Sequence, residues 1–531
     1  MSDQYTLASI TIDFWVQAGI RDVFIGPGSR SSPLVLAAVQ HSKLKTTVIV
    51  DERTLAFCAL GLAKYTNRPS LIITTSGSAL LNTLPAVLEA SMMLIPLVII
   101  SADRPKKLHN VGANQTFNQK EAMCSLVRFC AHLECPDLKV GDLERPLKEA
   151  YRHLLGKKPG PIHLNIAFDE PLYEPSHIGL IHQCPFKASL SASGPSQTLE
   201  IKHIKAFKAY ISSAKRPLIM VGNTHLKAFD YVTLFKTKIP VVADCQAPHW
   251  KQGILAHMSD WLLELNPDCV IQIGSRFICK AYEQLKVKAG ITWLYLSFFE
   301  DSSNIGHTNT LELHISQDDL ETLFNLDRPF SDPTWLKLCK QKERDAFKKQ
   351  ADFRDKHPQS EDQFVYTVLD IIPQDWSLFV SNSLLARQVD QNYSFKLAKE
   401  SIFFNRGVSG IDGTTATAAG VSFMNPCVLL TGDLSFLYDL HVLKVISEKQ
   451  LPLVIVIMNN KGGRIFEKLN IAIDNPFFDV YFKASHTFSF EGLAKAFLIN
   501  YKSCYDFKNL ELSFRQLCSR KEPAILELFP E

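Results

Sequence analysis

Short apolar runs alternating with helix-length segments most constrain how this chain can fold. Runs at 22–25, 46–50, 70–74, 96–100 and 162–168 are separated by segments such as 52–64, and apolar residues over 7–18 recur at helical spacing before Gly19. Parallel neighbours cannot be joined by a tight turn, so this rhythm predicts βαβ units and a parallel sheet. It returns at 217–221, 240–243, 269–273 and 293–296, and again at 377–380, 401–404, 427–430, 453–457 and 524–528. A Ser-rich stretch over 170–200, broken by Pro171, Pro175, Pro185 and Pro195, and a Lys- and Asp-rich stretch over 328–360 separate the blocks. The expected fold class is α/β, with three doubly wound parallel-sheet domains over 1–180, 195–335 and 355–531. The third block repeats the rhythm of the first without repeating its sequence.

Composition narrows the function. A net charge of +3 over 531 residues does not point to nucleic acid. The longest apolar runs, 92–100 and 451–458, fall well short of the ~18 to 20 residues of a spanning helix, so no membrane span is expected. The start of the chain lacks a basic segment followed by an apolar one, and the 12 cysteines form no CxxC pair; both fit a cytoplasmic protein. Cys124, Cys130, His132 and Cys135 match no zinc-knuckle spacing and read as ordinary helix packing.

Three stretches carry chemistry. Gly432-Asp433-Leu434-Ser435 and Asn459-Asn460-Lys461-Gly462-Gly463 flank a crossover helix and the apolar run 451–458. Carboxyl ends of neighbouring strands converge on one crevice, so Asp433 and Asn460 are expected to meet there. Both offer hard oxygens, which suit Mg²⁺ shared with phosphates; the stretch reads as a metal-diphosphate site. Gly26-Pro27-Gly28-Ser29-Arg30 fails as a dinucleotide turn, because the third glycine would fall at Ser31. It reads instead as an anion-binding turn at a helix start, with a plain structural turn as the alternative. Glu52 follows a strand and opens a helix; read alone, it serves equally as a first-turn carboxylate favoured by the helix dipole.

With Glu52 set beside the Gly-Asp and Asn-Asn stretch, the chain resembles the thiamine-diphosphate enzyme superfamily. Within it, several segments are similar to the family that makes 2-succinyl-5-enolpyruvyl-6-hydroxy-3-cyclohexene-1-carboxylate in menaquinone biosynthesis. These are 26–34, Asp51-Glu52-Arg53, Thr75-Ser76-Gly77-Ser78-Ala79, Ala102-Asp103-Arg104-Pro105, Gly112-Ala113-Asn114-Gln115, 405–413 and 432–440, in the expected order over both outer blocks.

The resemblance implies thiamine diphosphate and Mg²⁺ or Mn²⁺, with Asp433, Asn460 and the Gly462 carbonyl on the metal. It places Gly432, Leu434 and Ser435 at the diphosphate, Ile411 as a wedge under the cofactor, and Ile465 and Phe466 in its apolar wall. Glu52 is the catalytic carboxylate, supporting the tautomer of the aminopyrimidine. The implied substrates are 2-oxoglutarate and isochorismate, joined with loss of CO₂. Each carries two carboxylates, which fits the cations Arg30, Arg104, Lys280, Arg387 and Arg406, with Ser29, Asn114, Gln115 and Ser383 adding neutral contacts. A solvated surface position is the alternative for each arginine taken singly.

Family architecture further implies a homodimer or dimer of dimers, Glu52 of one chain facing Asp433 of another. An acetolactate-synthase-like decarboxylase or carboligase competes with this reading, and so does a catalytically silent cofactor-binding regulator. The arginine set argues against the first and intact Glu52, Asp433 and Asn460 against the second. None of the 16 histidines is expected to act as a general base.

Overall fold

The computed structural model describes residues 3–187, 199–226, 229–248, 253–256, 258–300, 310–326, 329–330, 332–392 and 402–531. Residues 188–198 of the expected linker over 170–200, residues 328 and 331 of the expected boundary, and the expected strand start at Ser401 lie outside them. The chain groups into two compact units: Met1–Gly194 with Asn405–Cys427 and Ser435–Leu453, and Pro195–Phe404 with Val428–Leu434 and Val454–Glu531.

The first unit is built on a six-stranded sheet of β1 (Asp22–Ile25), β2 (Lys45–Val48), β3 (Ser70–Thr74), β4 (Leu97–Asp103), β5 (Phe129–Glu134) and β6 (Ile162–Ala167), in the order β2-β1-β3-β4-β6-β5. All pairings are parallel. Helices cover both faces, so β3, β4 and β6 are buried along their whole length and read as mainly apolar runs. Phe14 and Trp15 of the Gln4–Gln17 helix join Leu34, Leu147 and Leu154 in the core on one face. On the other, the Glu52–Thr66 helix packs backbone to backbone on the Thr414–Ser422 helix. A Cβ at Gly61 would sit 1.9 Å from the Thr417 carbonyl oxygen, and one at Gly420 2.1 Å from that of Cys58.

The second unit holds two parallel sheets. The smaller comprises β7 (Pro217–Val221), β8 (Val241–Ala243), β9 (Cys269–Ile273), β10 (Thr292–Ser297) and β11 (Leu311–His314), in the order β11-β10-β9-β7-β8. The larger comprises β12 (Ser377–Val380), β13 (Ile402–Phe404), β14 (Cys427–Gly432), β15 (Leu453–Met458), β16 (Asn500–Cys504) and β17 (Ala524–Leu528), in the order β13-β12-β14-β15-β17-β16. Counted from its own first strand, this sheet has the order of the first, so the shared rhythm is a shared topology.

Two expectations change. The region of Cys130 and His132 is a strand, β5, not helix packing; it pairs with β6 from Phe129↔Ile162 to Glu134↔Ala167. β11 and β16 were not expected either. All three lie at a sheet edge and are only partly buried, so they lack the apolar runs that mark central strands. The 328–360 boundary is largely one helix, Pro333–Lys356, anchored by Trp335, Cys339 and Ala346.

Candidate active site

In the first unit, β1 has β2 on one side and β3 on the other, so successive connections leave it in opposite directions and open a crevice beyond its carboxyl end. The Gly26–Arg30 turn occupies that place. The Gly26 N–H donates to the Ile73 carbonyl at 2.9 Å, and a Cβ at Gly28 would lie 2.3 Å from Thr75, so only glycine fits against β3. Glu52 begins the Glu52–Thr66 helix, where Asp51 caps by accepting from Arg53 N (3.2 Å) and Thr54 Oγ1 (2.6 Å). The Asn82 amide donates to Glu52 Oε2 at 3.4 Å, and Glu52 Cγ lies 3.2 Å from where a Gly26 Cβ would stand. The capped helix start thus fixes Glu52 beside the glycine turn.

Arg30 and Arg104 come together near this turn. Arg30 Nη1 donates to the Phe168 carbonyl (3.0 Å) and Nη2 lies 3.1 Å from Glu170 Oε1. Arg104 Nη1 donates to Ser76 Oγ (2.6 Å) and to the Gln115 carbonyl (3.1 Å). Burial first, then the positive charge of Arg30, lowers the Arg104 pKa, against the carboxylates of Asp103 and Glu170. Gln115 takes a left-handed backbone beside Gly77; Asn114 and Ser29 are exposed.

Beneath Arg104 runs a buried polar network that was not singled out from the sequence. Asp103 accepts from Arg104 N and from Asn165 Nδ2, both at 2.7 Å. Gln119 accepts from Gly77 N at 2.8 Å and donates to Asn165 Oδ1 at 2.7 Å. His163 bonds Ser101 Oγ at 2.7 Å, and burial pushes its pKa down to about 3, so it stays neutral. The available signal was polar residues, Ser101, Asp103, His163 and Asn165, inside otherwise apolar central strands; buried polar groups need partners, and these partners form the floor of a site.

In the second unit, β14 and β15 are neighbours, and the turns after them meet. Asp433 Oδ1 accepts from Leu434 N at 2.6 Å and Oδ2 from Gly462 N at 2.9 Å. Burial pushes the Asp433 carboxyl up, opposed by those two amides and by His486, whose Nε2 lies 3.1 Å from Oδ2. His486 was left without a role in the sequence reading, and no spacing marks it. The two asparagines differ. Asn459 Nδ2 is taken by Glu527 and the Phe488 carbonyl. Asn460 Nδ2 donates to Glu361, while its buried Oδ1 has no hydrogen-bond partner among the described residues. A buried carbonyl-type oxygen without a donor, in the loop whose Gly462 N–H bonds the buried Asp433 carboxylate, suits a hard cation. Gly462 has φ +136°, and a Cβ there would meet the Lys483 carbonyl at 2.7 Å; its own carbonyl accepts from Arg464 N at 3.0 Å.

The other candidates are spread over the chain. Arg406 and Ile411, the latter 38% exposed, ride on the segment before the Thr414–Ser422 helix in the first unit, and Ser435 Oγ donates to the Ile411 carbonyl at 2.8 Å. In the second unit, Ser383 has a left-handed backbone, and Arg387 Nη1 lies 3.5 Å from its carbonyl. Lys280 opens the Lys280–Lys286 helix on a different sheet from Ser383 and Arg387. Ile465 and Phe466 sit in the Arg464–Lys468 turn, Phe466 exposed.

The thiamine pyrophosphate enzyme N-terminal TPP binding domain matches residues 5–122, and the C-terminal TPP binding domain matches residues 385–528. The chain is similar to curated proteins named 2-succinyl-5-enolpyruvyl-6-hydroxy-3-cyclohexene-1-carboxylate synthase. That of Chlorobium phaeobacteroides (strain BS1) is 31% identical over 96% of this chain and 92% of the relative. That of Thermosynechococcus vestitus is 31% identical over 96% and 92%, and that of Staphylococcus epidermidis (strain ATCC 12228) 32% identical over 93% and 90%. The chain belongs to the 2-succinyl-5-enolpyruvyl-6-hydroxy-3-cyclohexene-1-carboxylate synthase family of thiamine pyrophosphate enzymes.

Proposed function

We propose that this protein uses thiamine diphosphate and Mg²⁺ or Mn²⁺ to decarboxylate 2-oxoglutarate and join the remaining four-carbon unit to isochorismate, giving 2-succinyl-5-enolpyruvyl-6-hydroxy-3-cyclohexene-1-carboxylate and CO₂. Bound thiamine diphosphate supplies the electron sink for loss of CO₂ from a 2-oxo acid. Asp433, Asn460 Oδ1 and the Gly462 carbonyl hold the cation, and the Gly432–Ser435 turn binds the diphosphate. Ile411 would serve as the wedge under the cofactor, and Ile465 and Phe466 would form apolar wall beside it. Glu52 presents a carboxylate to the cofactor's aminopyrimidine and holds the proton there. Arg30, Arg104, Arg387, Arg406 and Lys280, aided by Ser29, Asn114, Gln115 and Ser383, bind the carboxylates and offset their mutual repulsion.

The pairing of Arg30 with Arg104 carries the substrate assignment. Arg30 and Arg104 stand near enough for the charge of one to bear on the other, beside Glu170 and Asp103, and two guanidiniums held in one region suit an acid with more than one carboxylate. The functional domains are 1–180 on the pyrimidine side, 195–335 in the middle and 355–531 on the diphosphate side. The working form is a cytoplasmic homodimer or dimer of dimers, with Glu52 of one copy serving Asp433 of another.

The test is isochorismate loss on supplying 2-oxoglutarate, thiamine diphosphate and Mg²⁺. Consumption that depends on all of them supports the assignment. No consumption together with turnover of pyruvate would move the protein to an acetolactate-type reaction while keeping its cofactor.

A further inference from the structure

The segment 405–416 carries both Arg406 and Ile411, and a buried carboxylate holds it at each end. At the first end, Glu89 of the Leu84–Met92 helix is 2% exposed and accepts from two consecutive amides, Gly407 N to Oε1 and Val408 N to Oε2, each at 2.9 Å. Lys64 lies 3.7 Å from Glu89 and donates to Asn405 Oδ1 at 2.6 Å, while Asn405 Nδ2 donates to Thr417 Oγ1 at 2.9 Å. Contact is close: a Cβ at Gly407 would sit 2.9 Å from the Glu89 carbonyl oxygen.

At the second end, Asp439 is 2% exposed and accepts from Gly413 N and Thr415 N, both at 2.9 Å, with Ala416 N at 3.5 Å. It thereby caps the Thr414–Ser422 helix from a distant part of the chain. Arg53 stands 3.7 Å away and is fixed by the Tyr438 carbonyl at 2.7 Å.

We infer that Glu89 and Asp439 are positioning residues, the first setting the backbone that presents Arg406 to substrate and the second the backbone that presents Ile411 to the cofactor. Stability alone is a weak reason for two buried charges here, since apolar replacements of buried ion pairs are often as stable. Their value lies in geometry. A carboxylate gripping the two amides just after Arg406 fixes where that residue leaves the backbone, and the cap on Gly413 does the same for Ile411, two residues before it. Burial pushes the Asp439 carboxyl up to about 6 and the Lys64 ammonium down to about 8, so both groups keep their charges near neutral pH. The inference rests on the roles proposed above for Arg406 and Ile411.

The experiment compares full-length Glu89→Gln, Asp439→Asn and Arg406→Ala with wild type. It reads the dissociation constant of thiamine diphosphate in Mg²⁺, KM for each acid at saturating cofactor, and hydrogen exchange over 405–416. Glu89→Gln is expected to raise KM for at least one acid by about tenfold, leave the cofactor constant within about twofold, and speed exchange at Gly407 and Val408. Asp439→Asn is expected to weaken the cofactor by about tenfold, leave both KM values within about twofold, and speed exchange at Gly413 and Thr415. Should Glu89→Gln fail to fold because Lys64 is stranded, the Lys64→Met/Glu89→Gln pair removes both charges and must give the same split. Equal effects of both variants on cofactor and substrates, or unchanged exchange at the gripped amides, would overturn the inference directly. Arg406→Ala with both KM values unchanged would overturn the Glu89 half through the reading it rests on.

Discussion

At the scale of single residues, adjacent side chains of one type have unlike surroundings. Asn459 neutralises hydrogen-bonding demand at Glu527, which is wholly buried and also accepts from Phe490 N at 3.0 Å. Asn459→Ala is therefore expected to cost about 1–3 kcal/mol in urea unfolding. Asn460→Ala should cost less stability but weaken Mn²⁺ binding, read by electron paramagnetic resonance, by about tenfold or more. Equal effects on Mn²⁺ would remove the distinction. Spacing located the Asn-Asn pair, but the partners Glu527, Phe488 and Glu361 come from remote parts of the chain, so no local pattern could assign the two amides. Asp439 adds a pH signature. Its folded pKa is raised from 3.8 to about 6, chiefly by burial, against the amides and Arg53. A raised folded value means that the stability it contributes is full below 3.8 and is lost as pH rises through about 6. The stability of wild type minus that of Asp439→Asn should thus fall by about 2 kcal/mol from pH ~4 to pH ~6, and a flat difference would contradict the burial of this charge.

At the scale of elements, one helix does more than its sequence discloses. The Glu52–Thr66 helix was legible as a helix, with Glu52 at its start, but not as the support for a distant segment. Arg53, Phe57, Gly61 and Lys64 recur along it at helical spacing, and each meets the chain between 405 and 439: Asp439, Gly413, Thr417 and Asn405. Such pairings join residues more than 300 positions apart, which periodicity cannot reveal. Central strands were legible because two covered faces force a run of apolar residues; the edge strands β5, β11 and β16 were not, because half-exposure permits His132, Glu312 or Lys502. The helix pairing gives a sharp test. By propensity, alanine should improve on glycine inside a helix by about 1 kcal/mol. At Gly61 and Gly420 the new methyl would instead stand 1.9 and 2.1 Å from backbone oxygens, so the helices must move apart. Gly61→Ala and Gly420→Ala should each lose about 3 kcal/mol or more. Gly492→Ala, with nothing within 4 Å in the Glu491–Ala496 helix, should be neutral or gain. Three similar thermal midpoints would show that the helix contact is looser than described.

At the scale of the molecule, the first and third sheets share one strand order, and each places candidate chemistry at strand carboxyl ends: Glu52, Arg30 and Arg104 around one, Asp433 and Asn460 around the other. On the function proposed above, one half of this doubled fold would supply the carboxylate for the organic part of the cofactor and the other the ligands of the cation at its diphosphate. What the sequence could not disclose is which surfaces are covered in the working assembly. In the second unit, the stretch after the 459–463 loop exposes Ile473 (69%), Phe477 (62%), Val480 (72%), Tyr481 (75%) and Phe488 (61%). Apolar side chains gathered this densely in sequence on a monomer surface mark an interaction site, and a second copy is the partner the shared-site proposal requires. Replacing Val480 and Tyr481 together by glutamate should therefore shift the protein toward monomer in sedimentation velocity. On that proposal, activity per chain should fall in step with the dimer fraction, because separation would take Glu52 of one copy from Asp433 of the other. Dilution of the unmodified protein should trace the same curve of activity against dimer fraction. A monomeric variant with undiminished activity per chain would place the whole reaction within one chain, and would leave the exposed apolar stretch to some other partner.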